Sequence, residues 1–438
     1  MTRPIPTAYT ERHHFRPPTR ARHPLPRDSM RLLHTSDWHL GQHFYGKSRA
    51  DEHRAFLDWL QQQAEQHRVD AIIVAGDLFD TGTPPSYARE LYNRFVVALQ
   101  ASGCQLIVLA GNHDSVATLN ESRDLLACLH TQVISHAQPD DAPLLLTQRD
   151  GSPGAILCPV PFLRPRDLLR SQAGQSADDK QFALQHAISE HYQNLYQRAV
   201  TLRQTLGQDL PIVATGHLTA IGATRSESVR DIYIGSLDAL PLSAFPPADY
   251  IALGHIHRPQ RVGRAEHIRY SGSPIPLSFD ELGSAKSVCL VELNAQGLQA
   301  ITPLAVPQSQ PMRLLKGNLA EIGAALEALR DQATEKPIWL DIEIDSDGWL
   351  SDAERTLQQQ AASLPVEILL LRRSREQRQR ALTMQAGETL SELTPDEVFN
   401  RRLALESEGD ATQQARARQL FQQVCHEIEL AQPGEASA

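Results

Sequence analysis

At 438 residues the chain is too long for one compact core, which implies a large domain with appendages. It is 41% hydrophobic and only 5% aromatic, so the core is expected to be mainly Leu, Ile, Val and Ala. A net charge of −10 and a pI near 6.0 exclude a generally basic nucleic-acid-binding chain. Any DNA binding must then come from a local patch, a metal site or a partner. The five cysteines are scattered without a CxxC pair, which excludes a zinc knuckle and fits a reducing cytoplasm. No apolar run reaches the roughly 18 residues of a membrane span, so a soluble cytoplasmic protein is expected.

Residues 1–29 hold six Arg and six Pro and lack the apolar segment of a signal peptide. They read as a disordered leader, or as sequence upstream of a true start at Met30. From Met30 to about residue 306, short aliphatic runs alternate with helical stretches, the pattern of an α/β layered fold. The first strand begins at Arg31. Further strands are predicted at Ala71–Ala75, Leu106–Ala110, Ile212–Ala214 and Tyr250–Leu253. Helices are predicted over Asp51–Gln66, Ser86–Ser102 (with Ser86 as N-cap) and Gln181–Leu206.

Residues 307–371 read as a small α/β unit. Its strands are at Met312–Leu315, Ile338–Ile344 and Val366–Leu371, and its helices at Leu319–Gln332 and Ser351–Ala362. Residues 372–430 open on a basic stretch containing Arg372, Arg373 and Arg375. That stretch has two readings, a solvated face or a contact with DNA phosphate. Two helices follow, from Thr394 and from Gln413, and they form a hairpin with an apolar stripe through Val398, Phe399, Leu403, Leu420, Phe421 and Val424. Residues 431–438 read as a disordered tail.

Five segments share one design, an apolar strand followed by an abrupt turn rich in metal-type side chains. They contain Asp37 and His39; Gly76-Asp77-Leu78-Phe79-Asp80; Gly111-Asn112-His113-Asp114; Gly216-His217; and Gly254-His255-Ile256-His257. In α/β sheets such strand ends converge on ligand sites. Residues two apart in extended chain point the same way, which suits the Asp37/His39 and His255/His257 pairs. Asp77 is a short carboxylate able to bridge two cations, and Asn112 supplies a neutral oxygen that limits negative charge. Imidazole and carboxylate without thiolate suit Mn, Fe or Zn. A dinuclear metal site is expected. His13, His14, His53, His67 and His186 fall in the leader or on helices and are expected to have no role in it.

The order of these motifs resembles the calcineurin-like metallophosphoesterase superfamily. Within it, the segments Leu33–Gly41, Gly76–Gly82, Ser226–Gly235 and Ser271–Phe279 are similar to the bacterial SbcD family of nuclease subunits. The resemblance implies a four-layer β-sandwich flanked by helices, a small α/β capping domain and a C-terminal helical hairpin. It implies two Mn ions, the first held by Asp37, His39, Asp77 and His257, the second by Asp77, Asn112, His217 and His255. His113 would face the scissile phosphate without binding metal. Asp80 departs from archaeal and eukaryotic relatives, which often carry His there. The family implies a nuclease for double-stranded DNA ends and hairpins, assembled as a homodimer with an SbcC-type ATPase whose coiled coils would receive the helical hairpin. No phosphate-binding P-loop occurs in the chain, so ATP would be the partner's substrate. The competing readings are a phosphatase or small-molecule phosphodiesterase on the same fold, and a non-catalytic scaffold. Against the phosphatase stand Asp114 in place of Glu and the missing Asp-Arg-Gly after the Gly-Asp motif.

Overall fold

The structure, a computed structural model, describes residues 29–169, 176–226, 229, 239–332, 334–345 and 350–374, with the single positions 399, 416, 420 and 421. The chain opens with β1 (Met30–Thr35), the small hairpin β2 (His43–Phe44) and β3 (Lys47–Ser48), then α1 (Ala50–Gln66) and β4 (Ala71–Ala75). It continues through α2 (Ser86–Leu99), β5 (Gln105–Leu109), the short helices α3 (Val116–Asn120) and α4 (Arg123–Ala127), and β6 (Thr131–Ile134). A second run holds β7 (Leu144–Thr147), β8 (Pro153–Cys158), α5 (Pro165–Leu168), α6 (Ala177–Leu206), β9 (Ile212–His217), β10 (Tyr250–Gly254), β11 (Gln260–Val262) and β12 (Ala265–Tyr270). The hairpin β13 (Ser287–Asn294) and β14 (Gly297–Ala305) then returns to the first sheet.

Two six-stranded sheets result, ordered β14-β13-β1-β4-β5-β6 and β11-β12-β10-β9-β8-β7. Each has a parallel core, β1-β4-β5-β6 in one and β8-β9-β10-β12 in the other, flanked by antiparallel strands. Strand alternation sorts the core into layers. In β1, Met30 and Leu32 point between the sheets, where they meet Leu157, Val213 and Ala252. Leu33 points outward into a second cluster with Phe56 and Leu60 of α1 and Phe95 of α2. On the far side, α6 lays Leu184, Ile188, Tyr192, Leu195 and Ala199 over the second sheet, a stripe at helical spacing. Helix, sheet, sheet, helix is the four-layer sandwich expected, and the named strand runs lie within β1, β4, β9 and β10, with β5 starting one residue earlier at Gln105.

Three helix ends differ from expectation. Ser86 is the first residue of α2 and forms no side-chain cap; Pro85, with ψ 156°, holds the N-cap position. Helix α6 starts earlier, at Ala177, because Ser176 and Asp179 form a reciprocal capping box. In the second unit, α7 (Leu319–Glu327) stops short of Gln332, since Leu329 and Arg330 close tight turns onto Leu326 and Glu327 instead.

By contact density the chain divides into two compact units, one running to Leu314 and including Thr334–Trp339, the other taking Leu315 to Ala333 and the residues from Leu340 onward. A three-stranded sheet is ordered β15 (Met312–Gly317), β16 (Ile338–Ile344), β17 (Val366–Arg373), with α7 and α8 (Leu350–Ala361) beside it. Asn318 and Glu321 cap α7. The anticipated hairpin lies outside the described residues apart from four positions, of which Phe399 and Phe421 stack their rings 4.0 Å apart at 4°. Among the described residues no helix is long and apolar enough to cross a membrane.

Candidate metal centre

The five ligand-bearing turns follow β1, β4, β5, β9 and β10, so parallel strands of both sheets aim their carboxyl ends at one place. The first two turns are stitched together: Asp37 N–H donates to the Gly76 carbonyl at 3.0 Å and His39 N–H to the Asp77 carbonyl at 3.1 Å. Asp37, His39, Asp77 and His255 all have positive φ, at 53°, 46°, 50° and 93°. Side chains other than glycine rarely adopt this region, at a cost on the order of 1–3 kcal/mol each. Four such residues in one cluster mark a place where the fold holds the backbone against its preference to aim side chains inward. Two glycines leave the room this needs. A Cβ on Gly76 would lie 2.0 Å from His217 Nδ1, and one on Gly111 would lie 2.1 Å from Asp77 Oδ1.

Inside this frame the imidazoles are gripped at Nδ1. His39 Nδ1 is 3.1 Å from Asp80 Oδ1, His217 Nδ1 2.9 Å from the Ala75 carbonyl, and His257 Nδ1 3.3 Å from Glu281 Oε1. An oxygen acceptor at Nδ1 selects the tautomer that leaves Nε2 as the donor atom for a metal. The Nε2 atoms of His39 and His255 are buried with no hydrogen-bond partner. His217 Nε2 lies 2.9 Å from Asn112 Oδ1 and 3.2 Å from Asp77 Oδ2. Ligand-type atoms of Asp37, His39 and His257 fall within 4.8 Å of one another, as do those of Asp37, Asp77 and His217. Buried, oriented nitrogen and carboxylate donors without thiolate fit borderline divalent cations such as Mn, Fe or Zn.

The electrostatics point the same way. Burial alone would depress the His217 imidazole, yet Asp77, assisted by Asp37, pushes it up to about 9. His39 likewise rises against its burial because Asp80, Asp77 and Asp37 surround it. Burial would raise the Asp77 carboxyl, but His217, His39 and His113 hold it well below the ordinary range. Burial and then the neighbouring His217 drive His255 well down. The pocket attracts positive charge, and cations are what its carboxylates lack.

Residues 30–259 match the family of calcineurin-like phosphoesterases, and residues 308–407 match a family described as the type 5 capsule protein repressor C-terminal domain. A relative from Escherichia coli K12, the SbcD subunit of nuclease SbcCD, is 61% identical, covering 91% of this chain and 98% of its own. The SbcD subunit of Rhodobacter capsulatus is 33% identical over 84% of this chain and 93% of its own. That of Bacillus subtilis is 31% identical over 72% and 79%. The chain belongs to the SbcD nuclease-subunit family of calcineurin-like phosphoesterases. It is therefore a metal-dependent phosphodiesterase, a hydrolase of nuclease type.

Among the residues the sequence singles out in this SbcD-family chain, Asp37, His39, Asp77, Asn112, His217, His255 and His257 converge as described. His113 joins them: its N–H donates to Asp77 Oδ1 at 2.9 Å, its ring Nδ1 lies 2.7 Å from the Asp80 carbonyl, and its ring centroid is 4.8 Å from that of His39. The basic stretch is elsewhere. Arg372 is engaged with the buried Asp341 at 2.7 Å, Arg373 is half-buried at the end of β17, and Arg375 lies outside the described residues.

Several residues at the site escaped sequence reasoning. Asp114 is buried and accepts from Leu78, Phe79 and Gly111 N–H, locking the second turn to the third. Burial, then Asp77, pushes its carboxyl up to about 6. Glu281 is buried beside His257, 24 positions away in sequence and in no recognisable motif. His53 is wholly buried, contrary to the expectation for a helical His without a role, and sits within electrostatic reach of Arg49, His39 and Asp80. Burial followed by Arg49 lowers it to about 3, so it packs as a neutral ring. Its signal was the polar first turn of α1, where Arg49 and Glu52 form a buried ion pair at 2.7 Å.

Proposed function

We propose that the protein is a manganese-dependent DNA nuclease using two metal ions. Asp37, His39, Asp77 and His257 would hold the first ion, and Asp77, Asn112, His217 and His255 the second. The observation that carries this reading is the set of three Nδ1-gripped imidazoles around Asp77, which places one carboxylate between two groups of donors. Two bound ions supply Lewis-acid polarisation of phosphoryl oxygens and a water-derived nucleophile near neutral pH.

The chain's own residues do the rest. Asp77 keeps its carboxylate ionised against burial, and the Asp114 clamp fixes the turn that carries it. Asn112 contributes an amide oxygen without adding charge that would repel a phosphodiester. His113 is oriented through Nδ1 by the Asp80 carbonyl, so Nε2 is the atom that would carry a proton to the departing 3′ oxygen.

The substrate would be double-stranded DNA ends, degraded 3′ to 5′, and DNA hairpins. The working assembly would be a homodimer with an SbcC-type ATPase in the cytoplasm, as the relatives' naming after an SbcCD complex suggests. Residues 30–306 would form the nuclease domain, 307–371 the capping domain and 372–430 the basic linker and ATPase-docking hairpin, with Arg372, Arg373 and Arg375 as phosphate contacts.

The test is incubation with Mn²⁺ or EDTA on a DNA hairpin and on a generic phosphodiester, with Asp77→Ala as control, with and without an SbcC-type ATPase plus ATP. Mn-dependent hairpin cleavage, lost in the variant and strengthened by the partner, is expected. Cleavage of the generic ester alone would move the protein to the small-molecule phosphodiesterase reading.

A further inference from the structure

The loop that follows β12 approaches the metal centre from one side only. Ser271 Oγ lies 2.9 Å from Ser36 Oγ, and Ser36 Oγ donates to Asp37 Oδ2 at 2.6 Å. Farther along the same loop, Glu281 meets His257 Nδ1 at 3.3 Å. Glu281 is 1% exposed and its carboxylate accepts from the Leu277 N–H at 3.0 Å, from Ser226 Oγ at 2.9 Å and from Lys286 Nζ. Lys286, itself buried, donates a second bond to the His257 carbonyl at 2.9 Å and a third to Ser273 Oγ at 2.8 Å. His257 is thus held at its ring by Glu281 and at its backbone by Lys286, the two halves of one ion pair.

A buried ion pair is an expensive way to stabilise a loop, and apolar residues of similar volume often do as well. What such a pair offers instead is fixed direction. The grip is also selective. Through Ser36 it reaches Asp37 and through Glu281 it reaches His257, and both are donors to the first ion. The donors assigned only to the second ion are held by other means, His217 by the Ala75 carbonyl and Asn112 by the β5 turn.

We infer that Glu281 and Lys286 are positioning residues for one of the two metal ions, the one shared by Asp37 and His257, and leave the other ion's donors untouched. The inference rests on the two-ion reading above and deepens it. Partners that orient a ligating His are worth about 10–100-fold in metal affinity. Here that factor should fall on one binding step and not on both.

The experiment is a calorimetric titration of the metal-stripped full-length chain with Mn²⁺ alone, joined to electron paramagnetic resonance to separate coupled ion pairs from single ions. Wild type is expected to take up two ions. Glu281→Leu combined with Lys286→Met removes both charges together and keeps the volume, so the fold is not left with an unpaired buried ion. In that variant one step should weaken about 10–100-fold while the other keeps its affinity, and the coupled signal should give way to that of a single ion. Glu281→Gln, which retains an oxygen facing His257, should fall between the two. Two unchanged steps in a folded double variant would overturn the inference, as would equal weakening of both. Failure of wild type to bind two ions would instead overturn the two-ion reading itself. Thermal unfolding of each stripped variant establishes that it is folded.

Discussion

His39 and Asp80 face each other across 3.1 Å, imidazole Nδ1 to carboxylate Oδ1, and so join the turn after β1 to the turn after β4. Asp80 works twice, because its backbone carbonyl orients His113 at 2.7 Å. The two tasks are separable by mutation. Asp80→Ala deletes the carboxylate and keeps the carbonyl, so metal affinity should drop about 10–100-fold while saturating Mn²⁺ restores most of the turnover. Calorimetry and rate measurements at rising Mn²⁺ check this. An unaltered affinity would mean that the carboxylate does not orient His39.

His113→Ala separates catalysis from metal binding. Turnover should fall roughly 10²–10⁴-fold with both ions retained. The ring lies close enough to His39 and Asp77 to complete a possible cation site of its own. Metal content by mass spectrometry therefore decides the matter, and loss of an ion in parallel with activity would reassign His113 as a ligand.

Asp77 lies 3.2 Å from His217 Nε2 and 3.6 Å from His39 Nε2, between the two groups of donors. Asp77→Ala should cost both ions. It should also remove the stabilisation that Mn²⁺ gives to unfolding, because a cation bound only by the folded chain stabilises it by mass action. A variant that still melts higher in Mn²⁺ than in EDTA, by as much as wild type, would refute the bridging role.

Gly111→Ala tests the close packing of the ligand turns. The added methyl would meet the Asp77 side chain at 2.1 Å and its backbone nitrogen at 2.3 Å, so Asp77 must move. Loss of Mn²⁺ binding is expected even though no donor is changed. Gly283→Ala is the control, since nothing lies within 4 Å of its Cβ position, and it should bind metal as wild type does. Equal behaviour of the two variants would show that the turn yields without consequence.

His34 predicts a pH dependence. Its ring is buried, with Nδ1 2.8 Å from the Tyr250 hydroxyl and Nε2 3.1 Å from the Leu253 carbonyl, and burial lowers it from 6.5 to about 3. The folded state takes its proton later than the unfolded state. This contribution is therefore complete above pH 6.5 and is lost as pH falls towards about 3. Between about pH 7.5 and 5 the loss is about 2 kcal/mol, at roughly 1.4 kcal/mol per unit. His53 shares this behaviour, so the quantity to measure is the difference between wild type and His34→Gln, by denaturant unfolding in EDTA. Parallel pH profiles would sink the prediction.

The metal-type residues were legible in the sequence because each follows a run of aliphatic strand residues, and a strand end is a place that local pattern reveals. Asp77 and His217 needed no long-range knowledge to be singled out. The residues that orient them did. Glu281 reaches His257 only because the loop after β12 folds back, and the carbonyl of Ala75 that holds His217 has no side-chain signature at all. Among the strands, β8 and β13 were not picked out individually, since Pro153–Cys158 and Ser287–Asn294 mix small and polar residues with aliphatic ones. Ser86 was misread as a cap because Pro85, already extended, can hold that position through its carbonyl alone.

The pairing of β1 with β13 has a consequence for synthesis on the ribosome. β1, the source of Asp37 and His39, waits for a neighbour whose residues run from Ser287 to Asn294, with Met30 opposite Leu293. Until those residues emerge, the first sheet has an open edge beside the strand that aims two of the donors. Lys286, which steadies His257, sits immediately before that neighbour in the chain. A growing polypeptide thus acquires the last support of its cutting centre and the closing strand of its sheet within a few codons of each other. A prematurely terminated fragment, carrying most of the acidic and histidine donors, would be left without the means to hold them in a destructive arrangement near the chromosome.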